Sequence, residues 1–203
     1  MSRSGIHMAR FLGEEYMAEY KLTDGTELRI AISGKSGCGN TTVSTLLAEK
    51  LGITLINFTF RQLAAEKGMT LAEVIENAKT DDSYDIAVDT KQVELARAQS
   101  CVLGSRLAIW MLKEADVKVY LIASDDTRAK RILNREGGDL QQIKDFTAMR
   151  DREDSARYQK LYQIDNNEYE FADLKIDTAT RTPEQIVALI LDYLKKNGRI
   201  QKK

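Results

Sequence analysis

Between residues 34 and 42 the chain reads Gly34-Lys35-Ser36-Gly37-Cys38-Gly39-Asn40-Thr41-Thr42. Closely spaced glycines let a turn bring its backbone N–H groups up to an anion at low steric cost. An apolar run, Leu28 to Ser33, precedes the turn, and an amphipathic stretch, Thr41 to Leu51, follows it. Strand, glycine-rich turn and helix form the setting in which such a loop cradles the phosphates of a nucleoside triphosphate, with the positive end of the helix behind it. On this reading Gly34, Ser36, Gly37, Cys38, Gly39, Asn40, Thr41 and Thr42 meet the phosphates, and the Thr41 hydroxyl ligates Mg2+. The pattern G-x-x-x-x-G-K-[ST] is satisfied at Gly34, Gly39 and Thr41, but Asn40 stands where the lysine belongs. A neutral amide brings no charge to the β- and γ-phosphates, and Lys35 lies in the variable part of the loop. The missing cation must come from elsewhere.

Arginines are the candidates, because a guanidinium pairs bidentately with phosphate oxygens. Arg61 follows the second strand candidate and Arg106 the third. Arg131 and Arg135 lie one helical turn apart and share a face. Arg150 and Arg157 flank Asp151 and Asp154 at spacings that also keep one face. Surface charge is the plain alternative for each arginine, and for the two aspartates helix-surface ion pairing competes with a catalytic role. His7 is the single histidine and has no periodic context, which excludes histidine-based acid–base or triad chemistry. Cys38 and Cys101 show no metal-ligand spacing and read as free thiols of a reducing, cytoplasmic setting. A net charge of -1 and a pI near 6.0 argue against bulk binding of nucleic acid or membrane surfaces. No apolar run approaches the roughly 20 residues of a membrane span.

The elements that must position these groups follow from periodicity and punctuation. Strands are expected at Leu28–Ser33, Ile53–Phe58, Cys101–Leu103, Val117–Ala123 and Leu174–Asp177. Val43, Leu46, Leu47 and Leu51 line one face of the helix after the loop, and Gly52 closes it. Further helices are expected after Phe60, from a capping box at Thr70 to Glu73, over Tyr84–Gln99 through Ile86, Val93 and Leu95, and over Ser124–Glu136 with Ser124 as cap. Asp139 to Tyr162 reads as a charged helix, and Thr182-Pro183-Glu184-Gln185 opens the last one. Trp110 and Met111 are expected in the core. Residues 1–26 are expected to be irregular, with local packing of Phe11, Leu12 and Tyr16, and residues 197–203 a tail. Alternation of strand and helix implies an α/β domain over residues 27–196, with a mostly parallel sheet covered on both faces.

Read together, ISGKSGCGNTTVSTLLAEKLG, FRQLAAEKGMTLAEV, VDTKQVELARAQSCVLGSRLAIWM, RAKRILNREG, RDREDSARYQKLYQID and DLKIDTATRTPEQIVALIL resemble a nucleoside monophosphate kinase of the P-loop superfamily. The likeness is strongest to the short, second-type cytidylate kinases of archaea and some bacteria. It implies a three-layer α/β/α fold on a five-stranded parallel sheet, a helical monophosphate-binding flap at about 60–99 and a short lid at about 137–165. It implies that Arg61 and Arg106 hold the acceptor's phosphate and that Asp89 helps the nucleoside site. Arg131 resembles a lid arginine near the adenine and Arg135 one on the phosphates. Arg150, Asp154 and Arg157, in an R-D-x-x-D-x-x-R segment with Asp151, resemble the residues that clamp the transferring phosphoryl group. The resemblance implies a cytoplasmic monomer that uses ATP and Mg2+ and acts on CMP and dCMP.

Two departures stand out. Asn40 replaces the loop lysine, although some second-type members carry threonine there. Gly104 precedes Ser105-Arg106 where relatives have Glu or Asp before Gly-Arg, an acid that orients the magnesium shell. Kinase activity on another monophosphate or a small alcohol, or nucleotide binding without useful turnover, therefore stay open at the level of sequence.

Overall fold

The computed structural model describes residues 18–203. Expectations for His7, Phe11, Leu12 and Tyr16 fall outside the described residues. In chain order the elements are β1 (Tyr20–Leu22), β2 (Arg29–Ser33), α1 (Asn40–Leu51), β3 (Thr54–Ile56), α2 (Phe60–Lys67), α3 (Leu71–Ala78), α4 (Ser83–Arg97) and β4 (Cys101–Gly104). They continue with α5 (Ala108–Met111), β5 (Val117–Ile122), α6 (Asp125–Glu136), α7 (Leu140–Tyr162), β6 (Leu174–Asp177), α8 (Pro183–Lys196) and β7 (Ile200–Lys202).

All five expected strands form one parallel sheet in the order β3-β4-β2-β5-β6. The central strand β2 aligns Ile32 with Gly104 on one side and Val119 on the other. The chain switches direction of winding there, so the loop after β2 opens at the carboxyl edge of the sheet, where α/β folds bind ligands. One apolar layer packs Val43, Leu47 and Leu51 of α1 and Ile190 and Leu194 of α8 against β2 and β5. The opposite layer packs Val93 and Ala96 of α4 and Ala108 and Ile109 of α5 against β4. Trp110 is partly buried against that second layer and meets Tyr120 edge-on at 5.8 Å. The three-layer α/β/α arrangement follows.

Helices α2, α3 and α4 carry a small core of their own, in which Leu63, Ala64, Val74 and Val88 pack with Phe58 from the segment before α2. Capping boxes close the starts of α3 at Thr70 and α8 at Thr182, with Pro183 in the first turn, and Ser124 caps α6. None of the described helices is long and apolar enough to cross a membrane.

Three local expectations need correction. Tyr20–Leu22, read as irregular, and Ile200–Lys202, read as tail, pair as an antiparallel ribbon. Burial of Tyr20 and Ile200 against the α1–α8 layer explains why such short segments hold. Ile86 is 40% exposed, and Val88 takes its inward place, whereas Val93 and Leu95 pack against the cores as expected. Beyond these corrections, the segment after Arg106 winds into α5, an element not expected from the sequence, and packs against β4.

Candidate active site

Ser33, fully buried at the end of β2, donates its hydroxyl to the Ser105 carbonyl (2.9 Å) and accepts the Ile109 N–H (3.1 Å). This ties the start of the phosphate loop to the β4–α5 turn, so two walls of one cavity are fixed to each other. The α1 helix starts at Asn40 with no side-chain cap at Gly39, so its first N–H groups stay available to an anion. The cavity above them measures about 400 Å³. The loop, the first turn of α1, Gly104–Arg106, Arg131 and Arg135 line it.

On the far side of the loop, carbonyls are gripped in sequence. Arg128 Nη1 donates to Ser36 O at 3.0 Å, and Arg131 Nη1 reaches Gly37 O at 3.3 Å and Cys38 O at 3.4 Å. Arg131 also donates to the Thr178 hydroxyl (2.9 Å) and carbonyl (2.5 Å) after β6. The Asn40 side chain bridges the loop's ends, its Nδ2 donating to the Gly34 carbonyl at 2.6 Å. Asparagine at this place closes the loop with its side-chain amide while its residue still lines the cavity.

Gly104 is a position of close approach. A Cβ there would overlap Ser44 Oγ and stand 2.8 Å from Ser44 Cβ. The volume an acid would need is filled by a buried serine of α1, whose hydroxyl has no hydrogen-bond partner among the described residues.

Across the cleft, α7, in the segment expected as a lid, meets α4, in the segment expected as a flap, through polar side chains. Asp154 is 7% exposed and binds Arg106 through one oxygen and Arg157 (3.0 Å) through the other. Arg157 extends to Asp85 at 3.3 Å, Tyr162 donates to Asp89 at 2.7 Å, and Lys160 pairs with Asp82. Burial raises the carboxyl pKa of both Asp85 and Asp89, against the lowering influence of Arg157 on Asp85 and of the Tyr162 hydroxyl on Asp89. Burial also raises the Tyr158 hydroxyl pKa, and Arg157 lies 5.2 Å from the Tyr158 ring centroid.

The expected residues therefore form two linked groups. The loop residues, Arg106, Arg131 and Arg135 share the large cavity, and Arg106, Asp154, Arg157 and Asp89 form the flap–lid face. Arg150 is exposed beside a neighbouring cavity of about 280 Å³ that Arg135 also lines. Arg61 is exposed in the first turn of α2 and lines neither cavity. Asp151 does not share the Asp154 network; it holds Arg128 through both oxygens (2.6 and 3.3 Å). Arg128, Asp85 and Tyr162 were missed by the sequence reading. Arg128 precedes Arg131 by three positions and Arg135 by seven, so the helical stripe that singled out the later pair extends to it.

The profile of the cytidylate kinase-like family matches residues 29–180. Cytidylate kinase 2 of Borreliella burgdorferi is 41% identical over 175 residues, covering 84% of this chain and 97% of that protein. The cytidylate kinase of Archaeoglobus fulgidus is 40% identical over 167 residues, covering 81% and 93%. Among solved structures, shikimate kinase from Bacteroides thetaiotaomicron superposes with a TM-score of 0.58 at 16% identity, over 83% of this chain and 98% of that one. That last likeness carries the fold alone. From the profile match and these identities, the chain belongs to the cytidylate kinase-like family.

Proposed function

We propose that the protein transfers the γ-phosphoryl group of ATP to CMP or dCMP, giving ADP and CDP or dCDP. The observation that carries this reading is the place of Arg106. It lines the loop cavity and also binds Asp154 on the flap–lid face, so it stands where a donor phosphate and an acceptor phosphate would meet.

The acceptor's phosphate oxygen is already anionic, so it attacks the γ-phosphorus without a general base. The bond from that phosphorus to the bridging oxygen breaks, and ADP leaves with the electron pair. Such a reaction needs positioning and charge stabilisation more than covalent help from the protein. In this reading, loop N–H groups from Gly34 to Thr42 hold the β- and γ-phosphates. Arg61 and Arg106 hold the acceptor phosphate, and Asp89 lies towards its nucleoside. Arg135, Arg150 and Arg157 clamp the transferring group, and Asp154 orients two of the cations around it. Arg131 lies on the adenine side.

The Thr41 hydroxyl is exposed at the cavity floor, and the described residues include no group of three or more His, Cys, Asp or Glu that could cage a metal. The hydroxyl oxygen of Thr41 is a hard donor that fits Mg2+, an ion that takes most of its other ligands from phosphates and water. When bound, the ion would neutralise charge developing between the β- and γ-oxygens. Cys38 and Cys101 are buried and unpaired, and burial lifts the Cys101 thiol to about 11.

A coupled assay of ADP release against CMP, dCMP, UMP and AMP tests the proposal. CMP- and dCMP-dependent turnover is expected. ATP binding with no acceptor-dependent release would sink the kinase reading, and preference for AMP would reassign the acceptor.

A further inference from the structure

Arg128 is 1% exposed, a complete guanidinium placed under the phosphate loop. Burying such a group costs several kcal/mol unless it is paired and hydrogen-bonded. Here Nη1 reaches Ser36 O and Asp151 (3.3 Å), and Nη2 reaches Asp151 (2.6 Å) and Asp125 (2.7 Å). Its charge is answered by those carboxylates, so it is not the cation that replaces the loop lysine. Its effect is geometric.

In a trans peptide the C=O and the next N–H point to opposite sides of the plane. Arginines that hold the Ser36 and Cys38 carbonyls therefore turn the N–H groups of Gly37 and Gly39 away from them, while the Cys38 N–H closes the loop on the Lys35 carbonyl at 3.1 Å. The helix backbone sets the spacing: a Cβ on Gly37 (φ 85°) would meet Arg128 Cα, Cβ and O at 3.0–3.1 Å. The second partner, Asp151, belongs to α7, three residues before Asp154, which binds Arg106 and Arg157. One buried side chain thus touches the loop and the lid helix together.

We infer that Arg128 is a positioning residue that sets the loop's peptide planes and holds the lid helix in register with them. The inference rests on the ATP-binding part of the reading above and not on the identity of the acceptor. Arg128→Lys keeps the charge but cannot reach Ser36 O and both Asp151 oxygens. Asp151→Asn keeps the loop contact and weakens only the lid contact.

Affinity for a non-hydrolysable ATP analogue is measured by calorimetry without acceptor, then kcat and the CMP KM in the coupled assay, and folding by thermal melting. Arg128→Lys should weaken analogue binding about tenfold, the equivalent of one charge-assisted hydrogen bond, and leave the CMP KM within about twofold. Asp151→Asn should lower kcat about tenfold and leave analogue affinity unchanged, since it affects closure rather than the loop. A lower melting temperature with wild-type analogue affinity and kcat in both variants would show a merely structural role and overturn the inference. If Arg128→Lys does not fold, Asp151→Asn decides alone: kcat equal to wild type overturns it. A chain that binds the analogue but phosphorylates none of the monophosphates fails the proposed function, and the affinity loss in Arg128→Lys still stands or falls by itself.

Discussion

The loop side of the cleft is held through backbone groups. Ser36, Gly37 and Cys38 give their carbonyls to Arg128 and Arg131, Gly34 gives its own to Asn40, and Ser33 locks the neighbouring turn. The flap–lid side is held through side-chain ends: Asp85 and Asp154 on Arg157, Asp154 on Arg106, Asp89 on Tyr162. Both sides are polar, but only the second consists of pairs that an incoming phosphate can exchange. A phosphate brings oxygens to the arginines that Asp154 and Asp85 now occupy, whereas no substrate can replace a loop carbonyl. On the proposed function, the donor half would be assembled in advance and the acceptor half by exchange.

The strongest way to break this comparison is at Arg157. Arg157→Ala removes a cation from the exchanging half only, so kcat should fall about 10²–10³-fold while affinity for an ATP analogue changes little. Steady-state kinetics beside an analogue titration decide it; equal losses in both would place Arg157 in ground-state binding. On the assembled half, Gly104→Asp should destabilise the fold by about 1–3 kcal/mol, because its Cβ enters the space of Ser44. Thermal melting should show a drop of roughly 2–4 °C per kcal/mol, recovered in part by adding Ser44→Gly. If Gly104→Asp melts like wild type, α1 can move there and the loop side is less rigid than its contacts indicate.

The assembled half was also the more legible in sequence. Glycines at fixed offsets between an apolar run and an amphipathic one constrain strand, loop and helix locally; outside the loop half, capping boxes at Thr70 and Thr182 mark helix starts by chemistry that needs no distant partner. The family likeness pointed to Arg106, Asp154 and Arg157, which the structure brings into contact. Spacing could not say which neighbour each side of α7 meets. Asp151 and Asp154 lie only about 60° apart around the helix, yet one turns to α6 and the other to the acceptor face. That division depends on how three helices pack. The β1–β7 ribbon was unreadable for a related reason, since each strand has three residues and one buried anchor, with no period to detect.

A smaller effect sharpens the exchanging half. Burial raises the Asp89 pKa above the ordinary carboxylate value of 3.8, so the folded chain holds that proton more tightly than the unfolded chain. The resulting contribution to stability is complete below the unfolded pKa and is lost as pH rises through the folded one. Asp89→Asn keeps an acceptor for Tyr162 and removes the ionisation. Its melting temperature relative to wild type should therefore rise as pH is raised from about 4 to about 8. A difference that is flat with pH would mean that Asp89 ionises freely, and that the α4–α7 face is wetter than its burial implies.

The smallest effect is expected where the sequence departs most visibly from its motif. Asn40→Lys would restore the loop cation, and if the loop were short of charge, turnover should climb steeply. The geometry argues otherwise. Asn40 Nδ2 holds the Gly34 carbonyl at 2.6 Å, and a lysine would give up that closure, worth about 1 kcal/mol, to gain its charge. Arg106, Arg131 and Arg135 already border the same cavity. Gain and loss should nearly cancel, leaving kcat/KM within about fivefold of wild type in the coupled assay. A rise beyond about tenfold would show that the arginines do not make up for the lysine and that the loop limits catalysis. A comparable fall would show that closure of the loop by Asn40 matters more than any cation placed there.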